Sequence, residues 1–301
     1  MLIDRYENND IIPLYVLNKC TKCQLIDICH KRKLKVKGNK QMLINYINLN
    51  HLGKTNNKGK LCSVNGYQYE KDIYYIVRQC TLNSKLFNTQ QLYELGGSSS
   101  KNDIECNYNL IGDIGIEIKK SKSPDWMQCS INYNQERQCW VTSNKGKIGY
   151  QCATIFSRLI DNINLFNGKI PPFMLNKITH DKWLDIKRNT TDYNDQYIDI
   201  PSNTISLLYK QKGCQYIQIS DGYGLYHLGD DICHFDVPNF IIPQQLRVRT
   251  KIHARQDKYG YCCLSVIIAC QPKDIKKIEK SSYSLDDINK LPKRLTYNKL
   301  N

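Results

Sequence analysis

The stretch Asp103-Ile-Glu-Cys-Asn-Tyr-Asn-Leu-Ile-Gly-Asp-Ile-Gly-Ile-Glu-Ile-Lys119 carries the clearest indication of the fold. Residues 103–110 and 114–119 are rich in strand-forming side chains, and an Ile-Gly-Asp turn separates them. In the second strand, isoleucines alternate with small or charged residues, so Glu117 and Lys119 share one face. The sequence therefore predicts an antiparallel hairpin with one polar face.

The polar face of this hairpin predicts a cluster of charges. With the turn at residues 110–113, Asp103 would lie opposite Lys119, and Glu105 opposite Glu117. Converging carboxylates repel each other, and a divalent cation with oxygen ligands relieves this repulsion. Such an ion polarises a phosphoryl oxygen, and an adjacent ammonium stabilises developing negative charge. We expect Asp103 and Glu117 to hold Mg²⁺ (or Mn²⁺) and Lys119 to position or activate the attacking water in phosphodiester hydrolysis.

The order of these residues resembles a known motif. Asp103, a strand and turn, and then Glu117-Ile118-Lys119 are similar to the PD-(D/E)xK superfamily of restriction-endonuclease-like nucleases. The small-residue loop at residues 97–102 resembles the loop that precedes the metal-binding Asp of that family. The resemblance covers about residues 66–135. It implies an α/β fold with a restriction-endonuclease-like mixed central sheet flanked by helices, and a Mg-dependent DNA endonuclease activity.

The motif departs from the family pattern at one position and leaves one choice open. Asn102 stands where the proline that names the motif is expected. Asp113 is the rival of Asp103 as metal ligand, because Asp113 lies on the Glu117 side of the second strand. The spacing from Asp103 fits a full strand plus turn better, so Asp103 ranks first.

Two further polar residues extend the resemblance. Glu70 lies in a helix predicted over residues 66–80, on the same face as Ile73. A carboxylate on an apolar face is costly unless it is paired or binds a metal. The resemblance identifies Glu70 as an assisting acidic residue on the preceding helix. It also identifies Gln128, in a helix predicted to begin after the hairpin, as a polar residue that supports the site.

Three cysteines near the N-terminus predict a metal site. Cys20, Cys23 and Cys29 have Cys-x2-Cys-x5-Cys spacing, and a Cys-x2-Cys pair presents two thiolates to one ion. Cys62 is the first choice for a fourth ligand, and His51 is the second. The prediction is tetrahedral Zn²⁺, with an iron–sulfur cluster as the alternative. The competing interpretation is that these residues are buried free thiols.

Composition limits the partners and the compartment. The 301-residue chain has 43 Lys and Arg against 28 Asp and Glu, a formal charge of +15, which suggests a polyanionic partner, DNA first. No apolar run approaches the ~20 residues that span a bilayer, and residues 1–10 lack the apolar core of a signal peptide. We therefore expect an intracellular protein in a reducing compartment, without membrane association, whose 14 cysteines are thiols or metal ligands.

The chain is predicted to have two parts. Residues 1–60 would form a Cys-rich, basic metal-binding unit, and residues 61–301 a nuclease-like domain with a β-rich C-terminal half and a Lys-rich tail. One of the strands predicted in that half covers residues 205–209. The basic residues expected to contact DNA are Lys31, Arg32, Lys33, Arg247, Arg249 and Lys251. The last three lie on one face of a predicted strand, where an acidic neighbouring segment is the alternative partner.

A second functional hypothesis belongs to another class. The chain would be a non-catalytic, zinc-containing nucleic-acid-binding protein with a decayed nuclease fold. Salt-sensitive DNA binding without cleavage would favour it. In the endonuclease hypothesis, symmetric cleavage of both strands of a duplex would favour a homodimer. The sequence does not indicate sequence specificity or whether the substrate is a duplex, a single strand or an end.

Overall fold

A computed structural model describes residues 14–32, 34, 36–51, 57–87, 102–108, 111–123, 125–143, 148–256 and 262–298. The chain divides into two compact units, Met1–Ser63 and Val64–Asn301.

The first unit is helical. Its helices are α1 (Leu14–Lys19), α2 (Lys22–Lys31) and α3 (Lys40–His51). Thr21 caps α2 through a reciprocal capping box with Gln24, which satisfies two backbone groups that the first turn leaves free. The apolar side chains of the three helices form one small core: Leu17, Leu25, Ile28, Leu43, Ile44 and Ile47.

In the residues that the structure describes, the second unit contains helices and three sheets. Its helices are α4 (Asn57–Arg78), which begins before the division at residue 63, α5 (Tyr150–Asp161), α6 (Pro172–Leu175), α7 (His180–Asn189) and α8 (Thr204–Gln211). The first six strands are β1 (Cys80–Leu82), β2 (Lys85–Leu86), β3 (Ile104–Tyr108), β4 (Gly112–Lys119), β5 (Met127–Asn134) and β6 (Cys139–Thr142). The other six are β7 (Gln196–Ile200), β8 (Cys214–Ile219), β9 (Gly224–His227), β10 (Gln244–Gln256), β11 (Cys262–Pro272) and β12 (Leu295–Tyr297). The chain is thus a mixed α/β protein, as the sequence predicts.

The order of the strands in each sheet defines the topology of the second unit. The three sheets have the orders β12-β1-β2, β6-β5-β11-β10-β7 and β3-β4-β8-β9. In the last of these, β3 is antiparallel to β4, β4 is parallel to β8, and β8 is antiparallel to β9. The β4–β8 pair joins segments about 100 residues apart in the chain, with α8 leading directly into β8.

Both faces of the four-stranded sheet are covered. On one face, Ile114, Ile116 and Ile118 of β4 pack with apolar residues of α4 such as Ile73. On the other face, residues of α8 pack with Ile217 and its neighbours in β8. This coverage explains why β4 is buried continuously from Ile114 to Ile118, although its sequence alternates. The face that carries Glu117 therefore lies inside the protein.

The register of the hairpin differs from the prediction. Glu105 pairs with Gly115 rather than with Glu117, and Tyr108 pairs with Gly112. Gly112 and Asp113, predicted to lie in the turn, therefore belong to β4, and the predicted register is wrong by two residues. Only glycine fits at position 115, where β4 lies close to the backbone of Gly213. A Cβ atom there would lie 2.2 Å from the carbonyl oxygen of Gly213.

Two predicted elements have a different structure. Residues 205–209 form part of α8 and not a strand, because Ile205, Leu208 and Tyr209 are buried at helical spacing. The helix predicted to contain Gln128 is instead β5, which pairs with β11. At the C-terminal end, β12 pairs with β1, so this part of the predicted Lys-rich tail belongs to a sheet.

Candidate active site

Two strands and a helix bring polar side chains together on the face of the four-stranded sheet that carries Glu117. Asp103 directly precedes β3, while Glu117 and Lys119 lie at the end of β4. Since β3 and β4 are antiparallel, the start of one strand lies beside the end of the other. Lys212 is the residue that caps the C-terminus of α8, just before the parallel strand β8.

The structure brings Asp103, Glu117 and Lys119 together. Lys119 Nζ is 2.6 Å from Glu117 Oε1 and 3.6 Å from Asp103 Oδ2. The backbone N–H of Ile118 donates to Asp103 Oδ2 at 2.9 Å, which fixes that carboxylate against the strand. Asp103 is 7% exposed and Glu117 is 2% exposed, so these charges act in a medium that screens them weakly.

Lys212 is a second ammonium group in the cluster, and the sequence analysis missed it. Its Nζ lies 2.8 Å from Glu117 Oε2, and its side chain is 4% exposed. Lys119 and Lys212 also lie 5.6 and 5.3 Å from the centre of the Tyr209 ring, within cation–π distance. The Lys212-Gly213 pair is a typical helix C-terminus, but the strand predicted for residues 205–209 concealed that signal.

The charge states of Glu117 and Lys119 follow from this geometry. Burial opposes the ionised form of Glu117, but the ammonium groups of Lys119 and Lys212 outweigh it and lower the pKa of Glu117. Burial likewise opposes the charged form of Lys119, but the carboxylate of Glu117 outweighs it and raises the pKa of Lys119. Lys119 is therefore an ammonium ion at neutral pH.

The pKa values of Asp103 and Glu70 are raised, in contrast to that of Glu117. Burial raises the pKa of Asp103, and the negative charge of Glu117 adds to this rise. Burial also raises the pKa of Glu70 to about 7, with a further contribution from Asp103. Glu70 lies on α4 one turn before the buried Ile73, as its spacing in the sequence indicates. The three carboxyl groups therefore interact across the edge of the sheet.

Replacing Glu70 by glutamine is expected to change how stability depends on pH. An unfolded Glu titrates near pH 4.3, so between about pH 4 and 7 the folded wild type binds more protons than the unfolded chain. Wild-type stability therefore loses this contribution as pH rises through about 7, and Glu70→Gln should gain stability relative to wild type. Urea denaturation from pH 5 to 8 in EDTA measures the difference, and a difference that stays constant with pH would contradict the assignment.

Asp103 and Glu117 are the carboxylates beside Lys119 that could hold a metal ion. Mg²⁺ is commonly held by one or two carboxylates together with substrate phosphates and water, and Asp103 and Glu117 supply two such groups. Among the described side chains, no group of three or more His, Cys, Asp or Glu residues could hold a metal ion. An ion at this site would therefore complete its shell with oxygens from outside the protein, and would share Glu117 with two ammonium groups.

Other residues assigned to the site lie elsewhere. Gln128 has an exposed side chain on β5, in the five-stranded sheet, so a role on a flanking helix is wrong. Asp113 is exposed near the opposite end of β4, where it pairs with Asn107. The structure therefore places Asp103 and not Asp113 beside Glu117.

The cysteines predicted to bind zinc or an iron–sulfur cluster are differently exposed. Cys20 and Cys29 are buried in the core of the first unit, whereas Cys23 is exposed near the start of α2. Burial raises the pKa of the Cys20 and Cys29 thiols, which disfavours the thiolate form that a metal needs. The side chains of Cys62 and His51 lie outside the described residues. The metal centre stays a prediction.

The cationic strand face has acidic partners. Arg247 donates from Nε and Nη2 to Asp195 at 2.8 and 2.6 Å, and Arg249 donates to Asp125 at 2.7 Å. These contacts match the acidic alternative rather than a DNA backbone, because both guanidinium groups are already paired. Lys251 is half-buried on the same strand. Lys31 and Arg32 lie at the end of α2, and Lys33 lies outside the described residues.

Comparison with known proteins identifies no relative: no family model, curated protein or solved structure matches the chain. In the described part of the chain, no helix combines the length and apolar character needed to cross a bilayer. A function must therefore be argued from the residues and their geometry.

Proposed function

We propose that the chain is a Mg²⁺-dependent endonuclease that hydrolyses DNA phosphodiester bonds, with a restriction-endonuclease-like fold. The observation that carries this proposal is the buried cluster in which Lys119 lies 2.6 Å from Glu117 and 3.6 Å from Asp103. The resemblance of these three residues to the PD-(D/E)xK motif supports it. So does the mixed sheet with a helix against each face, which is the architecture that the resemblance implies.

The proposed roles follow from the charge of each group. Asp103 and Glu117 would hold the metal, which when bound polarises a phosphoryl oxygen and lowers the pKa of water. Lys119 is protonated, so it would orient the attacking water and stabilise charge on the phosphoryl oxygens rather than act as a base. Glu70, with a pKa of about 7, is suited to accept the proton released by the attacking water.

Cleavage of plasmid and linear DNA by the full chain tests this function. We expect strand breaks with Mg²⁺ or Mn²⁺, none in EDTA, and none with Asp103→Asn, because this change removes one of the two proposed carboxylate ligands. Lys182→Met changes an exposed lysine of α7 and should cleave like the wild type. Pure, folded wild-type protein that cuts neither single-stranded nor double-stranded DNA with either ion would overturn the proposal.

One observation favours the second candidate, a non-catalytic, zinc-containing nucleic-acid-binding protein with a decayed nuclease fold. The two oxygens of Glu117 already contact Lys119 and Lys212, so the cluster is neutralised without a metal. Ion-pair networks of this kind also perturb pKa values in purely structural roles. DNA binding that weakens with salt, without cleavage in Mg²⁺ or Mn²⁺, would identify this protein class.

A further inference from the structure

Two loops lie directly beside the candidate site. The parallel strands β4 and β8 are followed by residues 120–123 and 220–223. The backbone N–H of Ser220 donates to the Lys119 carbonyl at 3.0 Å, and that of Ser121 donates to the Ser220 hydroxyl at 3.1 Å. Since carboxyl ends of parallel strands meet at one sheet edge, the loops extend the edge that carries Lys119.

A third segment, residues 273–283, packs against these loops. The backbone N–H of Ser281 donates to the Tyr223 carbonyl at 2.8 Å. Residues 273–276 line a cleft of about 310 Å³ together with Ser121, Ser123 and Trp126. The Trp126 carbonyl accepts a hydrogen bond from the Tyr209 hydroxyl, and the Tyr209 ring also contacts both lysines of the site. Tyr209 therefore connects a residue that lines the cleft with the two lysines of the site.

Two lysines, Lys273 and Lys276, line the cleft, and further lysines lie in the loops and the segment beside it. We call four lysines of these loops and this segment the basic rim: Lys120, Lys122, Lys276 and Lys280. Lys122, Lys276 and Lys280 are exposed, and Lys280 lies 5.6 Å from the Tyr223 ring centre.

The carboxylates nearest to the rim are already engaged. The Ser121 and Ser220 hydroxyls both hydrogen-bond Asp221, which lowers the pKa of that carboxyl. Asp274 accepts the backbone N–H of Lys276 at 3.1 Å. Lys120 and Lys122 also lower the pKa of Asp221. The two loops and residues 273–283 nevertheless hold six lysines against three acidic residues, so positive charge remains in excess.

We propose that the basic rim binds the phosphodiester backbone of the DNA strand that runs past the cleaved bond. Ammonium and hydroxyl groups in an open cleft match the charge and acceptors of successive phosphates, without selecting a base sequence. Lys120 follows Lys119 directly in the chain, so the rim lies next to the site. This inference rests on the proposed endonuclease function, because it assigns the contact surface for the same substrate.

Two charge-reversal variants with equal net charge test the rim. Lys122→Glu/Lys276→Glu changes the rim, and Lys85→Glu/Lys182→Glu changes two exposed lysines on β2 and α7. Fluorescence anisotropy in EDTA, with a labelled DNA duplex at several salt concentrations, measures binding without cleavage. We expect the rim variant to bind at least about tenfold more weakly than the control, with a salt slope lower by about two, because two phosphate contacts are lost.

The outcomes separate the rim from the catalytic proposal. Equal affinities and salt slopes for the two variants, or wild-type protein that does not bind DNA, would overturn the rim. Rim-dependent binding by a wild type that never cleaves would leave the rim in place and remove the endonuclease function. If the wild type cleaves DNA but the rim substitutions do not change its affinity, the endonuclease function would stay in place and the rim would be removed. Circular dichroism of both variants confirms that each is folded before binding is compared.

Discussion

Replacing Lys119 by methionine is expected to slow DNA cleavage by a factor of about 10²–10³, the usual effect of removing one preorganised charge-stabilising group. Lys119 contacts both carboxylates of the site, so its ammonium lies where a phosphate oxygen would meet the metal ligands. The variant should still fold, because Glu117 keeps its ion pair with Lys212 at 2.8 Å. Initial rates of plasmid nicking at saturating Mg²⁺ measure the effect.

Lys212→Met is the matched control, since it removes the other ammonium that contacts Glu117. Lys212 forms an ion pair with Glu117, whereas Lys119 forms ion pairs with both Glu117 and Asp103, so we expect a smaller loss of rate than for Lys119→Met. Equal losses would show that both ammonium groups act on the substrate. Wild-type rates with Lys119→Met would remove Lys119 from the mechanism, whatever the rates of the other variants.

Replacing Glu117 by glutamine is expected to lower the free energy of unfolding by about 3–5 kcal/mol, because it leaves buried ammonium groups without their shared counterion. The side chains of Lys119 and Lys212 are 16% and 4% exposed, so water can replace little of the lost interaction. Asp103, at 3.6 Å from Lys119, and Glu70 are the carboxyl groups of the cluster that remain. Urea denaturation in EDTA at pH 7 measures this change independently of any catalytic role.

Two further variants serve as controls for this experiment. Glu136→Gln alters an exposed carboxylate in the turn between β5 and β6 and should change stability by less than about 0.5 kcal/mol. Glu117→Gln/Lys212→Met also removes one of the ammonium groups left without a counterion. It should recover part of the lost free energy of unfolding, and the size of this recovery measures the coupling between the two residues. A loss below about 1 kcal/mol for Glu117→Gln would contradict the buried cluster.

Local sequence patterns predicted the parts of the site that lie close together in the chain. The alternation of β4 put Glu117 and Lys119 on one face, and helical spacing put Glu70 on the face of Ile73. The hairpin explained why Asp103 is near them, although its register differs by two residues from the prediction. These inferences succeeded because side chains at periods of 2 and 3.6 share a face whatever their partners are.

Such local patterns could not predict contacts between segments that are far apart in the chain. Lys212 reaches Glu117 only because β4 pairs with β8, about 100 residues later in the chain. Arg247 and Arg249 looked like a free cationic face, but Asp125 and Asp195 come from other parts of the chain to pair with them. No local spacing pattern in the sequence identifies Asp125 or Asp195 as a partner of these arginines.

By itself, the sequence determined an α/β chain with a strand that presents Glu117 and Lys119 together, and an excess of positive charge. Only the tertiary structure decided that this face is buried, that Lys212 shares Glu117, and which lysines lie in the loops beside the site. The reason is that periodicity is a property of one segment. The choice of which segment packs against it depends on the burial and pairing of residues far apart in the chain.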